Sequence, residues 1–149
     1  MIFALITLGV FLFMECVTWC THKFVMHGFG WYLHADHHQP KYQGVFEKND
    51  AYFIVFAIPS ILLFYFGTYT EYTFLFFIGL GILFYGIAYF LVHDVLIHQR
   101  FKWFKHTNNR YLRGLRKAHK MHHKHLGKEE GECFGMLFVP FKYFKKPKI

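Results

Sequence analysis

The hydrophobic positions of the chain fall into three long runs that short polar segments separate. The first run covers 1–21 and contains Glu15 as its only charged residue. The second covers 51–67, with Pro59 inside it, and the third covers 73–92. About 20 apolar residues in a helix that rises 1.5 Å per residue span the ~30 Å hydrocarbon core of a bilayer. The pattern therefore predicts three membrane-spanning helices, of which the second and third form a hairpin.

The two ends of the chain admit other interpretations. A secretory signal peptide would begin with basic residues and have a shorter apolar core. The first run has neither feature, so we favour a retained membrane anchor. After Val92 no run is long enough to span, although the C-terminal segment, residues 133–144, can lie on the membrane surface as an interfacial segment.

The composition supports a membrane protein and excludes several other classes. Hydrophobic residues make up 54% of the chain and charged residues only 17%, against ~25% in soluble globular chains. A chain of 18.0 kDa has too small an aqueous core for this much apolar surface. Disordered chains are poor in apolar residues, and three scattered cysteines do not form a disulfide scaffold.

The positive charges predict the orientation in the membrane. All 17 Lys and Arg lie within 23–48 or after Val92, which three spans place on one side. Seven Asp and Glu share that side, because Glu15 and Glu71 do not, and its formal charge is +10. Cationic loops stay in the cytoplasm, so we expect the N-terminus outside and the histidine-bearing side in the cytoplasm. This charge also attracts anionic membrane lipid, whereas no nucleic-acid-binding fold fits the chain and we expect no such partner.

Ten of the twelve histidines form a pattern that occurs twice, H-x4-H followed by H-x2-H-H. The first copy comprises His22, His27, His34, His37 and His38, and the second comprises His93, His98, His119, His122 and His123. On a helix, positions i, i+3 and i+4 share about a third of the circumference, so each triplet can direct three imidazoles to one point. The paired histidines lie ~140° apart on a straight helix. Each pair reaches one metal only through a π-bulge or a helix end, or its members serve different metals.

Metal ligation is the interpretation that this histidine pattern favours. Uncoordinated imidazoles gathered in one place would have to be desolvated or protonated together, at a cost of several kcal/mol. Ten ligands exceed one coordination sphere, so we predict two metal ions. All-imidazole ligation suits Fe, Zn, Cu or Ni. The sequence contains neither E-x-x-H nor H-E-x-x-H, which argues against carboxylate-bridged ferritin-like bundles and zinc metalloproteases.

Acidic residues near the histidines are candidates for supporting roles. Asp36 and Asp94 each adjoin a patterned histidine and either orient its ring through the distal N–H or are plain solvated charges. Glu15 must face the bundle interior or water. We interpret Glu47 and Asp50 as charges or caps at a helix start. His106 and His125 lie outside the pattern and are interpreted as surface residues.

The residues around the histidines resemble a known family. The segments that carry the resemblance are WCTHKFVMHGFGWYLHADHHQP, GVFEKNDAYFIVFA, YFLVHDVLIHQRF and YLRGLRKAHKMHHKHLGKEEGECFGMLFVP. The chain is similar to the membrane-bound, non-haem di-iron fatty acid hydroxylase superfamily, and within it to the carotenoid β-ring 3-hydroxylases (β-carotene hydroxylases). It departs from the family pattern at Val95, where a small residue is usual, and at Glu132 and Cys133, which replace a more neutral pair.

The resemblance implies an activity. It implies O2-dependent hydroxylation of the β-ionone ring at the 3-position, from β-carotene through β-cryptoxanthin to zeaxanthin, with the ten histidines binding two Fe ions. Zinc has no redox chemistry, so it can only replace iron in a purified sample. The resemblance also implies a bacterial inner membrane as the location. The carotenoid substrate would come from this bilayer and electrons from a separate ferredoxin-type donor.

The expected fold is all-α: one domain, 1–149, forming an integral membrane helical bundle of three to four spans with a cytoplasmic, histidine-rich di-metal cap. Two alternatives to the carotenoid activity stay open. One is a fatty acid or sterol hydroxylase or desaturase of the same superfamily. The other is a non-catalytic membrane metal-binding protein.

Overall fold

The protein is a bundle of helices, seen in a computed structural model that describes residues 1–39, 46–101, 103 and 106–145. The described residues contain no strand. Three helical stretches among them are long and apolar enough to cross a membrane: Ile2–Phe29, Lys48–Tyr69 and Phe74–Ile97. The all-helical fold and the three runs predicted to span are therefore confirmed, and the described residues contain no fourth stretch of this kind.

Five α-helices among the described residues form the bundle and its cap. They are α1 (Ile2–Cys20), α2 (Trp31–His38), α3 (Ala51–Tyr69), α4 (Phe74–Phe90) and α5 (Arg110–His122). Two of them continue without interruption as π-helical segments, α1 into Thr21–Phe29 and α4 into Leu91–Ile97. Short 3-10 turns lie at Lys48–Asp50, before α3, and at Phe141–Phe144.

Helix α4 packs against both of the other spans, and small residues permit the close approach. Ser60 Oγ of α3 donates a hydrogen bond to the Gly79 carbonyl oxygen at 2.9 Å. Thr7 Oγ1 of α1 donates to the Phe77 carbonyl oxygen at 3.1 Å. A methyl group added at Gly81 would lie 2.8 Å from the Thr7 carbonyl oxygen, which is closer than atoms pack. Glycine at this position therefore lets α1 and α4 meet backbone to backbone, as membrane helices often do.

The most deeply buried side chains lie at one end of the bundle. The largest that are fully buried are Val95, Leu115, Met136, His38 and His122. They come from the π-helical end of α4, from α2 and α5, and from the C-terminal segment. Most large apolar side chains of the spans are exposed, as expected for surfaces that face lipid. The core of the protein is therefore the histidine-bearing cap.

Glu15 faces the bundle interior, as predicted, and fastens the C-terminal segment to the spans. One oxygen, Oε1, accepts hydrogen bonds from the backbone N–H groups of Met136, Leu137 and Phe138 at 2.8, 2.8 and 2.9 Å. The other, Oε2, accepts from the Tyr85 hydroxyl at 2.6 Å. The C-terminal segment therefore does not lie only on the surface: Phe138 is exposed, but Met136 is buried.

Candidate metal centre

The π-helical segments bring each H-x4-H pair together. The His98 backbone N–H donates to the His93 carbonyl oxygen, five residues earlier, at 2.9 Å. This is the hydrogen bond of a π-helix, which stacks residues i and i+5. The ring centroids of His93 and His98 lie 4.4 Å apart, and those of His22 and His27 lie 5.3 Å apart. Of the possibilities that the sequence leaves open, the structure shows the π-helical one.

The patterned histidines form two clusters. In the first cluster, ring nitrogens of five buried histidines lie within 4.8 Å of one another: His22, His27, His34, His38 and His122. In the second cluster the same holds for His37, His93, His98 and His119. His123 joins the second cluster, because its Nε2 lies 2.9 Å from Nε2 of His119. Each cluster thus contains one pair and three histidines from the triplets.

The two halves of the chain interlock at these clusters. In each triplet the outer two histidines belong to one cluster, and the middle histidine, His37 of α2 or His122 of α5, belongs to the other. The expectation that each triplet directs three imidazoles to one point is therefore wrong. On a helix the i+4 side chain lies ~40° to one side of i and the i+3 side chain ~60° to the other, which lets the middle histidine join a different cluster. Neither cluster is complete with ligands from one half alone.

The protons of the first cluster point outward. All five Nδ1 atoms face carbonyl or amide oxygens, which only accept hydrogen bonds. The acceptors are the backbone oxygens of Phe134 for His22, Lys128 for His27, His125 for His38 and Glu132 for His122, and Oδ1 of Asn49 for His34, at 2.7–3.0 Å. Each Nδ1 therefore carries the proton, and each Nε2 carries a lone pair.

These lone pairs face one another, which is the arrangement that a metal ion requires. Nε2 of His34 lies 3.2 Å from Nε2 of both His22 and His38. Nε2 of His27 lies 3.3 Å from Nε2 of His122. Two imidazoles that both donate through Nδ1 cannot hydrogen-bond through Nε2, so the contacts are repulsive without a cation between them. The donor set therefore fits a metal ion that imidazole binds well.

Burial keeps the cluster imidazoles neutral. Loss of water around the protonated ring lowers the pKa of His34 and of His122 to about 3, that of His38 to about 4 and that of His123 to about 2. These rings therefore carry no positive charge at neutral pH and offer a lone pair to a metal without first losing a proton.

Carboxylates support the second cluster. Glu47 Oε2 accepts the Nδ1–H hydrogen bond of His37 at 2.7 Å, and Asp94 Oδ2 lies 3.4 Å from Nδ1 of His93. Arg100 joins the two carboxylates, because Nη2 donates to Glu47 at 2.7 Å and Nη1 lies 3.1 Å from Asp94. The carboxylates thus orient the rings, and the guanidinium holds the carboxylates in place.

Comparison with known proteins assigns the chain to a family. The family model described as fatty acid hydroxylase matches residues 7–144. The chain belongs to the fatty acid hydroxylase family. The resemblance noted in the sequence is therefore confirmed.

Several relatives of this fatty acid hydroxylase family member are named β-carotene hydroxylase. That of Pantoea ananas is 45% identical over 92% of this chain and 77% of its own length. That of Paracoccus sp. (strain PC1) is 37% identical over 91% of this chain and 83% of its own length. The chloroplastic β-carotene 3-hydroxylase of Haematococcus lacustris is 38% identical over 91% of this chain and 43% of its own length. No solved structure matches the chain.

The acidic residues singled out in the sequence have different partners in this hydroxylase-family structure. Asp94 lies beside His93, whereas Asp36 Oδ2 accepts the backbone N–H of Lys48 at 2.7 Å. Asp50 Oδ2 accepts the backbone N–H of Glu47 at 2.9 Å, which confirms the capping interpretation. Glu47 contributes to this cap and also contacts His37, a contact that the sequence interpretation missed.

Two further supporting residues were not expected from the sequence. Asn49 accepts from His34, and Arg100 lies two residues after the second pair. The only sequence signal for Asn49 was the polar cluster FEKND, which stands directly before an apolar run. Arg100 had no such signal. His106 is exposed, and His125 Nδ1 lies 3.8 Å from Glu130 Oε2, so the rings of these two histidines lie outside both clusters, as predicted.

Proposed function

We propose that this fatty acid hydroxylase family member hydroxylates carotenoid β-ionone rings at the 3-position, using O2 and two iron ions. β-Carotene would pass through β-cryptoxanthin to zeaxanthin. The observation that carries the proposal is the pair of adjoining imidazole clusters, in a chain that matches bacterial proteins named β-carotene hydroxylase over most of both lengths.

Iron is the metal that the proposed reaction favours. The ten proposed ligands are His22, His27, His34, His37, His38, His93, His98, His119, His122 and His123. Breaking an unactivated C–H bond requires redox chemistry, which a pair of bound iron ions supplies and zinc does not. Imidazole binds iron well.

Aromatic side chains shield the first cluster from water. The Phe134 ring lies 5.4, 5.2 and 5.3 Å, between centroids, from the rings of His22, His27 and His122. Trp31 lies 5.2 Å from His27 on another side. Excluding water protects reactive species from side reactions. These rings therefore serve the proposed oxidation as a cover, while the Nδ1 hydrogen bonds keep the imidazoles oriented.

The position of the clusters suits a substrate dissolved in lipid. The π-helical segments that carry the paired histidines continue directly from α1 and α4, where these spans end. Tyr89 of α4 stacks on His93 with ring centroids 4.9 Å apart, so the second cluster adjoins the apolar part of the span. A carotenoid can present one ring to the clusters while its polyene chain stays in the bilayer.

The positive charge suggests how the protein is oriented and how it receives electrons. Its +10 side carries both clusters, so the N-terminus would lie outside and the clusters in the cytoplasm. Helix α5 contains no Asp or Glu, and its exposed face continues as a basic stripe of four residues, Arg113, Lys117, Lys120 and Lys124. The same helix carries His119 and His122. An acidic, ferredoxin-type donor docked on this stripe would be separated from these ligands by the width of helix α5.

Reversing a charge on the stripe tests this docking. We expect Lys117→Glu to lower turnover with a purified acidic donor several-fold at low salt, because like charges oppose encounter. Raising the ionic strength should reduce the difference between variant and unchanged protein. Lys23→Glu, an equal charge change on the same side but outside α5, is the control and should have a much smaller effect. Turnover that depends on neither salt nor Lys117 would refute the docking site.

Pigment analysis tests the proposed function. A bacterium that accumulates β-carotene and expresses this chain should form products one and two oxygens heavier than β-carotene. Unchanged pigment with altered lipids would favour a fatty acid or sterol hydroxylase or desaturase. If neither pigment nor lipid changed while the protein carried metal, a non-catalytic metal-binding protein would be favoured.

A further inference from the structure

The two clusters have corresponding ligands but different electrostatic surroundings. In the repeated pattern, His22 of the first cluster corresponds to His93 of the second, and His122 corresponds to His37. Nδ1 of His22 and of His122 donates to backbone carbonyl oxygens. Nδ1 of His37 and of His93 faces carboxylates. The ligand sets are therefore alike, whereas the groups behind the ligands differ in charge.

In the part of the chain that the structure describes, the carboxylates that contact ligand rings lie behind the second cluster. Arg100 bridges Glu47, Asp50 and Asp94 at 2.7, 2.8 and 3.1 Å, which leaves three carboxylates and one guanidinium behind the second cluster. The side chains of Arg100 and Asp94 are only 15% and 14% exposed, so water screens them weakly. Among the described residues, all five Nδ1 acceptors of the first cluster are neutral.

We propose that the two metal sites are unequal, and that the second cluster binds its divalent cation more tightly than the first. A carboxylate that accepts the Nδ1–H of a ligating histidine increases the electron-donating power of the ring. The surplus negative charge also attracts the cation directly through partly dehydrated protein. Glu47 and Asp94 are thus positioning residues that act through His37 and His93. The inference rests on the two-metal part of the proposed function.

One short turn contains two residues whose isosteric substitutions test the idea. Glu47 supports His37 of the second cluster, and Asn49, two residues later, supports His34 of the first cluster at 2.7 Å. Glu47→Gln removes one of the three negative charges behind the second cluster, and Asn49→Asp adds one behind the first. Each substitution keeps the size and shape of the side chain, and each acts on one cluster.

The experiment is a Co²⁺ titration of the metal-stripped, full-length protein in detergent, with a competing chelator. The unchanged protein should bind two Co²⁺ in two resolved steps. Glu47→Gln should weaken the tighter step by ~10–100-fold, the usual effect of mutating a residue that supports a ligand, and leave the weaker step in place. Asn49→Asp should strengthen the weaker step and leave the tighter one. A misfolded variant would not show such a gain in affinity.

Each other outcome overturns the inference. Two equal steps in the unchanged protein would show that the charge difference has no effect on affinity. A Glu47→Gln variant that weakens only the weaker step would reverse the assignment. No bound Co²⁺ at all would remove the inference together with the two-metal part of the proposed function. Two unequal steps that respond as expected, in a protein that leaves β-carotene unchanged, would retain the inference and refute only the hydroxylation.

Discussion

His122→Ala is expected to abolish hydroxylation and to remove metal from the first cluster. The His122 side chain has no solvent exposure, and its Nε2 lies 3.3 Å from Nε2 of His27. Because His122 is the α5 histidine that completes the cluster otherwise built from the first half of the chain, the first half cannot replace it. The loss of activity should exceed the ~10–100-fold that follows from losing a group behind a ligand.

Pigment analysis in a β-carotene-producing host, with iron analysis of the purified protein, measures both effects. The matched control is His125→Ala, which removes an imidazole outside both clusters and keeps the backbone carbonyl that accepts from His38. The control should keep its activity, since the His125 ring lies 3.8 Å from an exposed carboxylate, an ion pair of little energy. Zeaxanthin formation by His122→Ala at the level of the unchanged protein would contradict the assigned ligand.

Glu15→Ala is expected to lower the free energy of unfolding by about 3–5 kcal/mol. The substitution leaves three backbone N–H groups and the Tyr85 hydroxyl without their acceptor, in a site that is buried at Tyr85 and Met136 and part-buried at Leu137 and Phe138. Each unsatisfied buried group costs ~1–3 kcal/mol, and partial relaxation recovers some of the sum. The C-terminal segment should also detach, and with it the Phe134 carbonyl that orients His22.

Thermal unfolding in detergent and limited proteolysis of the C-terminal segment measure this effect. Glu71→Ala is the control, because Glu71 lies exposed in the turn between α3 and α4. It should unfold at the temperature of the unchanged protein. If Glu15→Ala unfolded no earlier than the control and its C-terminal segment resisted protease equally, Glu15 would not fasten that segment.

The sequence predicted the spans well, because a span requires only a certain length of apolar helix. The repeated histidine pattern marked residues that lie close together, but the expectation that each triplet directs three imidazoles to one point was wrong, because the middle histidine of each belongs to the other cluster. The pairs were harder, since ordinary helical geometry separates His22 from His27 and His93 from His98. Only the structure shows that both segments are π-helical.

The sequence could not predict how each triplet divides between the two clusters, or which groups accept hydrogen bonds from the rings. The reasons are physical. Whether His37 lies with the histidines of its own half of the chain or with those of the other half depends on how α5 packs against α2, which is tertiary information. The acceptors at Phe134 and Glu132 are backbone oxygens, which every residue has, so no side-chain pattern marks them. Glu47 had an adequate local explanation as a cap, and this concealed its contact with His37.

The most direct test of the proposed oxygenase activity is isotopic. A β-carotene-producing host that expresses this chain is grown under ¹⁸O2, and the mass of the zeaxanthin formed is measured. The proposed activity predicts zeaxanthin that carries ¹⁸O in both ring hydroxyl groups and that is absent from cells without the chain. Zeaxanthin whose hydroxyl oxygen comes from water, or no hydroxylated carotenoid at all, would contradict it.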